Sequence, residues 1–478
     1  MNPVLLILGI PLTATVILAA VPNRTIAARL NALASLATFI TALSLFVARP
    51  APTLFLFIDD FNVYLVVLTS FVAFTTSWFS ASYIEHEVEI GRLTPISLRF
   101  YHAMYQIMTF SMLLALVANN IGLMWVAIEA ATLTTVVMVS LYRTQESIEA
   151  AWKYFILASV GIAMALFGTI LIYLAAQPVL TGGVEAMAWI ALKARAAEFD
   201  AGILNLAFVF LLIGYGTKVG LVPLHAWLPD AHAEGPTPIS AVLSGLLLNV
   251  GLYAVLRFKM ILAGNAHVID PGALLLTMGT TSLLFAGLML YRRRDIKRLF
   301  AYSSIEHMGI IAFSFGIGGP LANFAGLLHM ALHSLTKSAI FFAVGHIAQV
   351  KGTQKLPEIR GLTTSHPAIG WGLVLGVIAI AGLPPMGLFM SEFLVVTSAM
   401  ARQPWLAVPM VIGLAIAFGA LAMRLQQVAF GEPRGSSAPV SASLVPMYLH
   451  LALVFVAGFW LPGPLVTWFQ NVAHLLGK

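Results

Sequence analysis

No cysteine occurs among the 478 residues. Disulfides, cysteine-ligated iron–sulfur clusters and thiolate metal sites are thereby excluded, and redox chemistry that needs them must sit on other chains. Charge is scarce as well. Asp, Glu, Lys and Arg make up 9% of the chain, against about a quarter in an ordinary soluble domain. Walker A sequences, dinucleotide fingerprints and nucleophile elbows are also missing, so nothing is present to grip a nucleotide or a flavin. The chain is expected to carry no cofactor of its own and to be unable to power chemistry alone.

What fills the sequence instead is hydrophobicity: 60% of residues are apolar and the mean hydropathy is +0.94. That is the composition of an integral membrane protein. The net charge of +6 follows from membrane topology rather than from a nucleic-acid partner, because little soluble surface is left to bind one. The first apolar run, Val4 to Val21, lacks a basic leader and a small-residue cleavage site, and is read as a spanning helix rather than a cleaved signal.

A spanning helix needs about 20 apolar residues, and polar breaks divide the chain into fourteen such segments. They cover 3-21, 28-48, 61-84, 103-118, 121-142, 150-176, 204-221, 238-258, 271-290, 299-316, 323-349, 367-397, 405-428 and 446-468. Most of the 25 basic residues lie beside loops that follow odd-numbered helices, among them "RRRDIKR" at 292 to 298; only Lys218 and Lys337 are read as lying inside helices. The positive-inside rule then puts those loops in the cytoplasm and both termini outside. Helices four to eight (103-262) and nine to thirteen (263-428) form two five-helix units, preceded by 1-102 and followed by 429-478. An odd helix number turns the second unit upside down relative to the first, the parity of inverted-repeat transporters. Both fourth helices carry breakers. "TKVGLVPLHAWLPDAHAEGPTP", with Pro223, follows helix seven, and "AGLPPMGLFMSEF", with Pro384 and Pro385, interrupts helix twelve. Proline removes a backbone donor, and freed carbonyls at membrane depth survive only where protein or water satisfies them.

A charge at the centre of an isolated spanning helix costs about 2.5 to 3.5 kcal/mol. Glu129, Lys218, Lys337 and Glu392 must therefore face one another or water. His329, His333 and Lys337 stand at i, i+4 and i+8, near one helix face; His346 falls on the opposite side. Imidazoles both donate and accept protons near neutral pH, so the stripe predicts a proton relay. The alternative is a set of histidines that merely hydrogen-bond between helices. Lys218 is the natural partner of Glu129, and Glu392 on the broken twelfth helix is placed to load or release a proton. Glu306 and His307 begin helix ten and either line a second cavity or form a helix-end pair. Lys153 either touches the network or snorkels to headgroups. His225, Asp230, His232 and Glu234 crowd the break after helix seven, but their spacing matches no zinc motif, and no metal is expected.

Three stretches then look familiar: "KVGLVPLHAWLPDAHAEGPTPISAVLSGLLLNVGLYAVLRF", "LHMALHSLTKSAIFFAVG" and "GLPPMGLFMSEF". They resemble the antiporter-like subunits of respiratory complex I (NADH:quinone oxidoreductase), of Mrp-type Na+/H+ antiporters and of membrane-bound hydrogenases. "WVAIEAATLTTVVMVSLYRTQESIEAAWKYF" together with "SSIEHMG" is similar, more narrowly, to the component F subunits of hydrogenase-4 and formate hydrogenlyase complexes. The resemblance implies an all-α membrane fold of fourteen helices with two inverted five-helix repeats, in which helices seven and twelve are broken, and a central hydrophilic axis for protons. It assigns Glu129 and Lys218 to the family's acid and lysine, His329, His333 and Lys337 to its eleventh-helix relay, and Glu392 to its exit. Where complex I members carry a lysine in helix eight, "SGLLLNVGLY" offers Asn249, which hydrogen-bonds water but takes up no charge.

The expected protein is thus a proton-translocating subunit, without a redox centre of its own, in the cytoplasmic (inner) membrane of a bacterium. Its partners would be other membrane subunits, a peripheral hydrogenase or related redox arm carrying Fe–S clusters, and the lipid bilayer. The rivals are an Mrp-type sodium/proton antiporter subunit and a non-conducting membrane anchor for a hydrogenase.

Overall fold

The computed structural model describes residues 2–180, 182–435 and 438–477. Helices account for most of them; among the described residues the only β-structure is isolated β-bridges, such as Leu56 with Ala118 and Asp295 with Lys355. We number the long helices α1 (Pro3–Ala20), α2 (Arg24–Leu43), α3 (Asp60–Glu89), α4 (Pro95–Val117), α5 (Ile121–Val139) and α6 (Gln145–Leu180). The break after α7a (Ala201–Val219) leads into the short α7b (Leu228–Glu234). Then follow α8 (Thr237–Leu262), α9 (Pro271–Leu290), α10 (Ile296–Ile317) and α11 (Gly319–Lys351). The twelfth helix is two pieces, α12a (Pro367–Ile380) and α12b (Gly387–Arg402), and α13 (Pro404–Ala429) precedes α14a (Val445–Phe459) and α14b (Gly463–Leu475).

Polar caps fix where these helices begin. Asp59 accepts from the Asn62 amide while the Asn62 side chain accepts from the Asp59 amide, a reciprocal cap at the start of α3. Asn120, Asp200 and Asp295 cap α5, α7a and α10 from one side only, each side chain accepting from an amide three residues on. Among the described residues eleven helices are long and apolar enough to cross a membrane, twelve if the bent pair α14a and α14b is one span. The expected continuous helix over 446-468 is corrected: the chain turns by 84° between Phe459 and Gly463. "GFWLPGP" supplies the reason, since Pro462 and Pro464 each lack an amide donor.

Exposure sorts lipid-facing helices from central ones. α6 shows Trp152, Ile156, Val160, Met164, Phe167, Ile170 and Leu174 at its surface, steps of three and four that make one apolar stripe. In α8, by contrast, the whole apolar window is buried, and in α11 89% of it is. These two helices form the axis of the molecule. Helix pairs approach closely where glycine permits: a β-carbon on Gly214 of α7a would stand 2.5 Å from the Ala165 amide nitrogen of α6. Inside α8 a π-helical turn, Leu243–Leu247, sits against α11, and a β-carbon on Gly245 would meet Ser338 Oγ at 2.7 Å. Such wide turns displace the following residues around the helix, here Asn249.

Three helices bury more charge than the sequence pattern indicated. Besides Lys218 and Lys337, Arg257 and Lys259 of α8, Lys297 of α10 and Lys351 of α11 lie inside helices and are buried, which corrects their reading as loop anchors. Arg257 donates to both carboxylate oxygens of Asp59 at 2.7 Å and lies over the rings of Phe57, Phe61, Trp189 and Tyr253. Burial pushes the Asp59 carboxyl up, but the Arg257 charge and hydrogen bonds outweigh it and hold the carboxyl below its ordinary range. A depressed carboxyl contributes stability above its unfolded-state value and loses it as pH falls through the folded value. Arg257→Leu should therefore lower stability by about 2–3 kcal/mol, a figure discounted from fully buried pairs because Asp59 keeps some solvent contact. Thermal unfolding in detergent at neutral pH would register that loss, and acidification to about pH 3 should shrink the difference between variant and wild type.

Candidate functional site: a buried polar axis

The first centre joins α5 to α7a. Glu129 projects from the middle of α5 and its Oε2 lies 3.7 Å from Lys218 Nζ, as the sequence predicted. Lys218 is fully buried near the C-terminal end of α7a and donates to Thr132 Oγ1 at 2.6 Å, one helical turn below Glu129. Helix α7a stops at Gly220, whose φ of 76° suits glycine. The break that follows is satisfied from within the protein. Trp227 Nε1 donates to the Thr217 carbonyl at 2.8 Å, and Ser282 Oγ accepts from the Val222 amide at 2.9 Å. Freed backbone groups near Pro223 are thus paired without lipid, as the cost of an unsatisfied group requires.

The second centre lies between α10, α11 and α12b. His329, His333 and Lys337 share the inward face of α11 and are completely buried. His307 of α10 completes the cluster: its Nδ1 is 2.9 Å from His329 Nε2, and its ring stacks on His333 with centroids 5.5 Å apart. Glu306 Oε2 stands 3.1 Å from His307 Nε2. On the other side His329 Nδ1 is 2.9 Å from Ser391 Oγ, next to Glu392. Glu306 and His307 are therefore mid-helix and central, which corrects the helix-end alternative. α10 begins at Ile296 rather than 299, because Asp295 caps it. Both ring nitrogens of His333, Glu306 Oε2, His307 Nε2 and Glu392 Oε1 lack hydrogen-bond partners although buried. Buried polar atoms of this kind call for water or a transferable proton.

The break in helix twelve holds Glu392. Gly382, at φ 62°, lies before Pro384 and Pro385, and a β-carbon on it would come within 1.9 Å of Glu392 Oε2. Gly382→Ala should both strain the turn and push the carboxylate off its seat. A stability loss of about 1–3 kcal/mol, typical of overpacking, is expected; thermal unfolding in detergent would test it. His307, His329 and Glu392 also bring three potential metal-ligand atoms within 4.8 Å of one another.

Around Lys337 the polar contacts among α8, α10 and α11 are made by groups that hydrogen-bond but do not ionise. Lys337 Nζ donates to the Phe300 carbonyl at 3.0 Å; Ser304 Oγ donates to the same carbonyl and touches Ser244 Oγ at 2.6 Å. Asn249 donates to Ser334 Oγ at 2.8 Å and to the Gly245 carbonyl.

Other predicted residues fall elsewhere. Lys153 is exposed and pairs with Glu149 at 2.6 Å and Asp230 at 3.3 Å, so it does not enter the axis. Asp230 and Glu234 are engaged by Arg298, which leaves them no common ligand position with His225 and His232. His225 packs against Phe285 and Tyr302 at the α7a break. His346, opposite the relay stripe, meets Phe79 edge-on at 5.2 Å. Sequence reasoning missed Lys297, Ser244 and Ser304. The available signal for Lys297 was its position one residue inside a polar-capped helix start, after Asp295.

The comparisons agree with this geometry. Residues 118–417 match the family described as "NADH:quinone oxidoreductase/Mrp antiporter, TM". The chain is 60% identical over 98% of its own length and 98% of the other's to a hydrogenase-4 component F homolog of Methylacidiphilum infernorum (isolate V4). In fold it is similar to a chain of the membrane-bound sulfane sulfur reductase, an archaeal respiratory membrane complex, at TM-score 0.89 and 21% identity, covering 100% of this chain and 98% of that one. A chain of respiratory complex I from Thermus thermophilus aligns at TM-score 0.83 and 23% identity over the full length of both. The chain is a multi-span, all-α membrane protein and belongs to the NADH:quinone oxidoreductase/Mrp antiporter transmembrane family, whose members lie in bacterial membranes.

Proposed function

We propose that the chain is a proton-translocating, antiporter-like subunit of a multisubunit redox complex of the hydrogenase-4 type in a bacterial cytoplasmic membrane. It carries no cofactor and works beside other membrane subunits and a peripheral redox arm that holds the Fe–S clusters. Fourteen spans are proposed, with α10 and the broken α12 counted beside the apolar helices, both termini outside, and α4–α8 and α9–α13 as inverted units. The matching breaks in α7 and α12, each in the fourth helix of its unit, support that division.

One observation carries the functional reading: the buried line Glu306, His307, His329 and Ser391, with 3.1 and 2.9 Å steps between its acid, ring and hydroxyl atoms, beside the buried Glu392 and Lys337. Imidazoles in contact pass a proton by exchanging donor and acceptor roles. In this mechanism a redox event in a partner changes the charge of the Glu129 and Lys218 pair. The change reaches Lys337 through a poorly screened interior, where Coulomb interactions extend further than in water. Lys337 yields its proton to the histidines, and Glu392 releases it outside. Asn249 stays neutral throughout and orders the path.

The test is proton uptake by vesicles holding the whole complex, driven by its electron donor in sodium-free buffer. Undiminished uptake is expected. A strict need for sodium would instead favour the Na+/H+ antiporter reading that the family name also includes.

A further inference from the structure

Three segments on one side of the protein meet around a cavity of about 500 Å³: the α9–α10 loop, the α11–α12a loop and the end of α13 with the residues after it. Each segment follows or ends an odd-numbered helix. Backbone bonds tie the three together, for the Leu356 amide donates to the Arg294 carbonyl at 2.8 Å and the Arg434 amide to the Arg360 carbonyl at 3.3 Å. Arg294, Arg360, Arg424 and Arg434 line the cavity, and Leu356 and Ile359 give it an apolar wall. Among the described residues no carboxylate pairs with any of the four arginines. Glu358 pairs with Lys355 at 3.5 Å, Asp295 caps α10, and the exposed Glu432 makes no ion pair. Arg424 is fixed by its two amino groups, which donate to the Tyr291 carbonyl and to Gln427 Oε1, while its Nε is buried without a partner. Arg360 lies against Gly431, where a β-carbon would stand 2.8 Å from its Nε.

Guanidiniums gathered by the backbone without a counter-charge repel one another until an anion joins them. Their planar forks match the oxygens of a phosphate in pairs. We propose that the cavity binds the headgroup of an anionic phospholipid. The neighbouring surface favours a lipid over a free phosphate. Val408, Val411, Ile412, Phe418 and Met423 are exposed along one face of α13, and Gln426 of the cavity wall continues that face about five turns beyond Val408. Acyl chains laid on this stripe bring their headgroup to the arginines. Beside the same loop the exposed Trp371 meets the exposed Phe430 edge-on, with centroids 6.4 Å apart, and exposed aromatic rings of this kind gather at headgroup level. The orientation proposed above makes this side cytoplasmic, where anionic lipids are attracted to basic pockets between helices. A bound headgroup neutralises the cluster and clamps the ends of α11 and α13 to the start of α10. None of this depends on proton conduction by the chain.

The experiment uses the whole complex, stripped of lipid in mild detergent and then supplied with phosphatidylglycerol or with phosphatidylcholine of the same chains; native mass spectrometry follows lipid retention against lipid concentration. Wild type should hold one tightly bound phosphatidylglycerol more than the double variant Arg360→Gln with Arg434→Gln, whose affinity at that site should fall about tenfold or more. Phosphatidylcholine should bind both alike. Arg360 and Arg434 are exposed, so the double variant should fold, and Arg294→Gln gives a second reading from another wall, with an expected loss of about fivefold. The exposed Arg292 is outside the cavity wall, and Arg292→Gln should bind as wild type does. A loss of less than about twofold in both cavity variants, or an equal loss in Arg292→Gln, overturns the site. Inorganic phosphate is the last arm. If it displaces phosphatidylglycerol from wild type at millimolar concentration, the cavity takes free phosphate and the lipid assignment is overturned; undisturbed retention supports the lipid.

Discussion

Replacing Lys218 with methionine should reduce proton uptake by the reconstituted complex at least about tenfold, the effect of roughly 1.4 kcal/mol on a rate-limiting barrier. The reason is positional. Lys218 is sealed inside the protein with one carboxylate 3.7 Å away and one hydroxyl at 2.6 Å, and it is the one Asp, Glu, Lys, Arg or His of α7a, so no neighbour on that helix replaces its positive charge. Glu129→Gln should be the more destabilising change of the two, because it leaves a buried ammonium without its counter-charge. Loss of one partner from a buried pair costs about 3–5 kcal/mol, to be reduced here because Glu129 retains 18% side-chain exposure. The double variant should recover part of that stability but none of the uptake. Thermal unfolding and uptake measured on all three variants form a closed cycle that separates the structural role of the pair from its functional one. Uptake that survives Lys218→Met would leave only the non-conducting anchor.

The second large effect is expected at Lys337. Its ammonium is wholly buried, and its one hydrogen bond among the described residues goes to the Phe300 carbonyl; Glu306 acts on it only through space. Lys337→Met should abolish uptake and yet leave stability unchanged or raised, since an apolar side chain of similar length replaces a poorly compensated charge. The opposite signs of the two lysines make the contrast diagnostic. At Lys337, which has no close counter-charge, a lysine kept for structure would destabilise on removal; one kept to hold a proton would not. If Lys337→Met unfolds the chain more easily than wild type, its charge is structural and the relay reading of α11 is wrong.

The helices themselves were legible because lipid imposes a strong rule: each span must satisfy its own backbone and present apolar side chains for about 20 residues. Segments such as 271-290 coincide with the observed helix at both ends. Errors arose where polar residues extend a helix past its apolar stretch. The start of α10 is the clearest case, and it carried Lys297, Glu306 and His307 away from their true positions in the reading. The α14 bend was missed because two prolines inside an apolar run look like an ordinary tolerated kink until a partner helix fixes their direction.

The same division runs through the site. Composition and periodicity alone determined that this is a membrane protein without cysteine chemistry, that Glu129, Lys218, Lys337 and Glu392 have to avoid lipid, and that the α11 residues share a face. They did so because burial of charge in hydrocarbon is costly wherever it occurs along a chain. Which buried groups touch was decided by tertiary packing. His307 reaches His329 and Glu392 settles against Gly382 only because α10 and α12b pack on α11 at distances that glycines and a π-turn allow. Contacts between helices far apart in sequence leave no periodic trace, so no pattern along the chain encodes them.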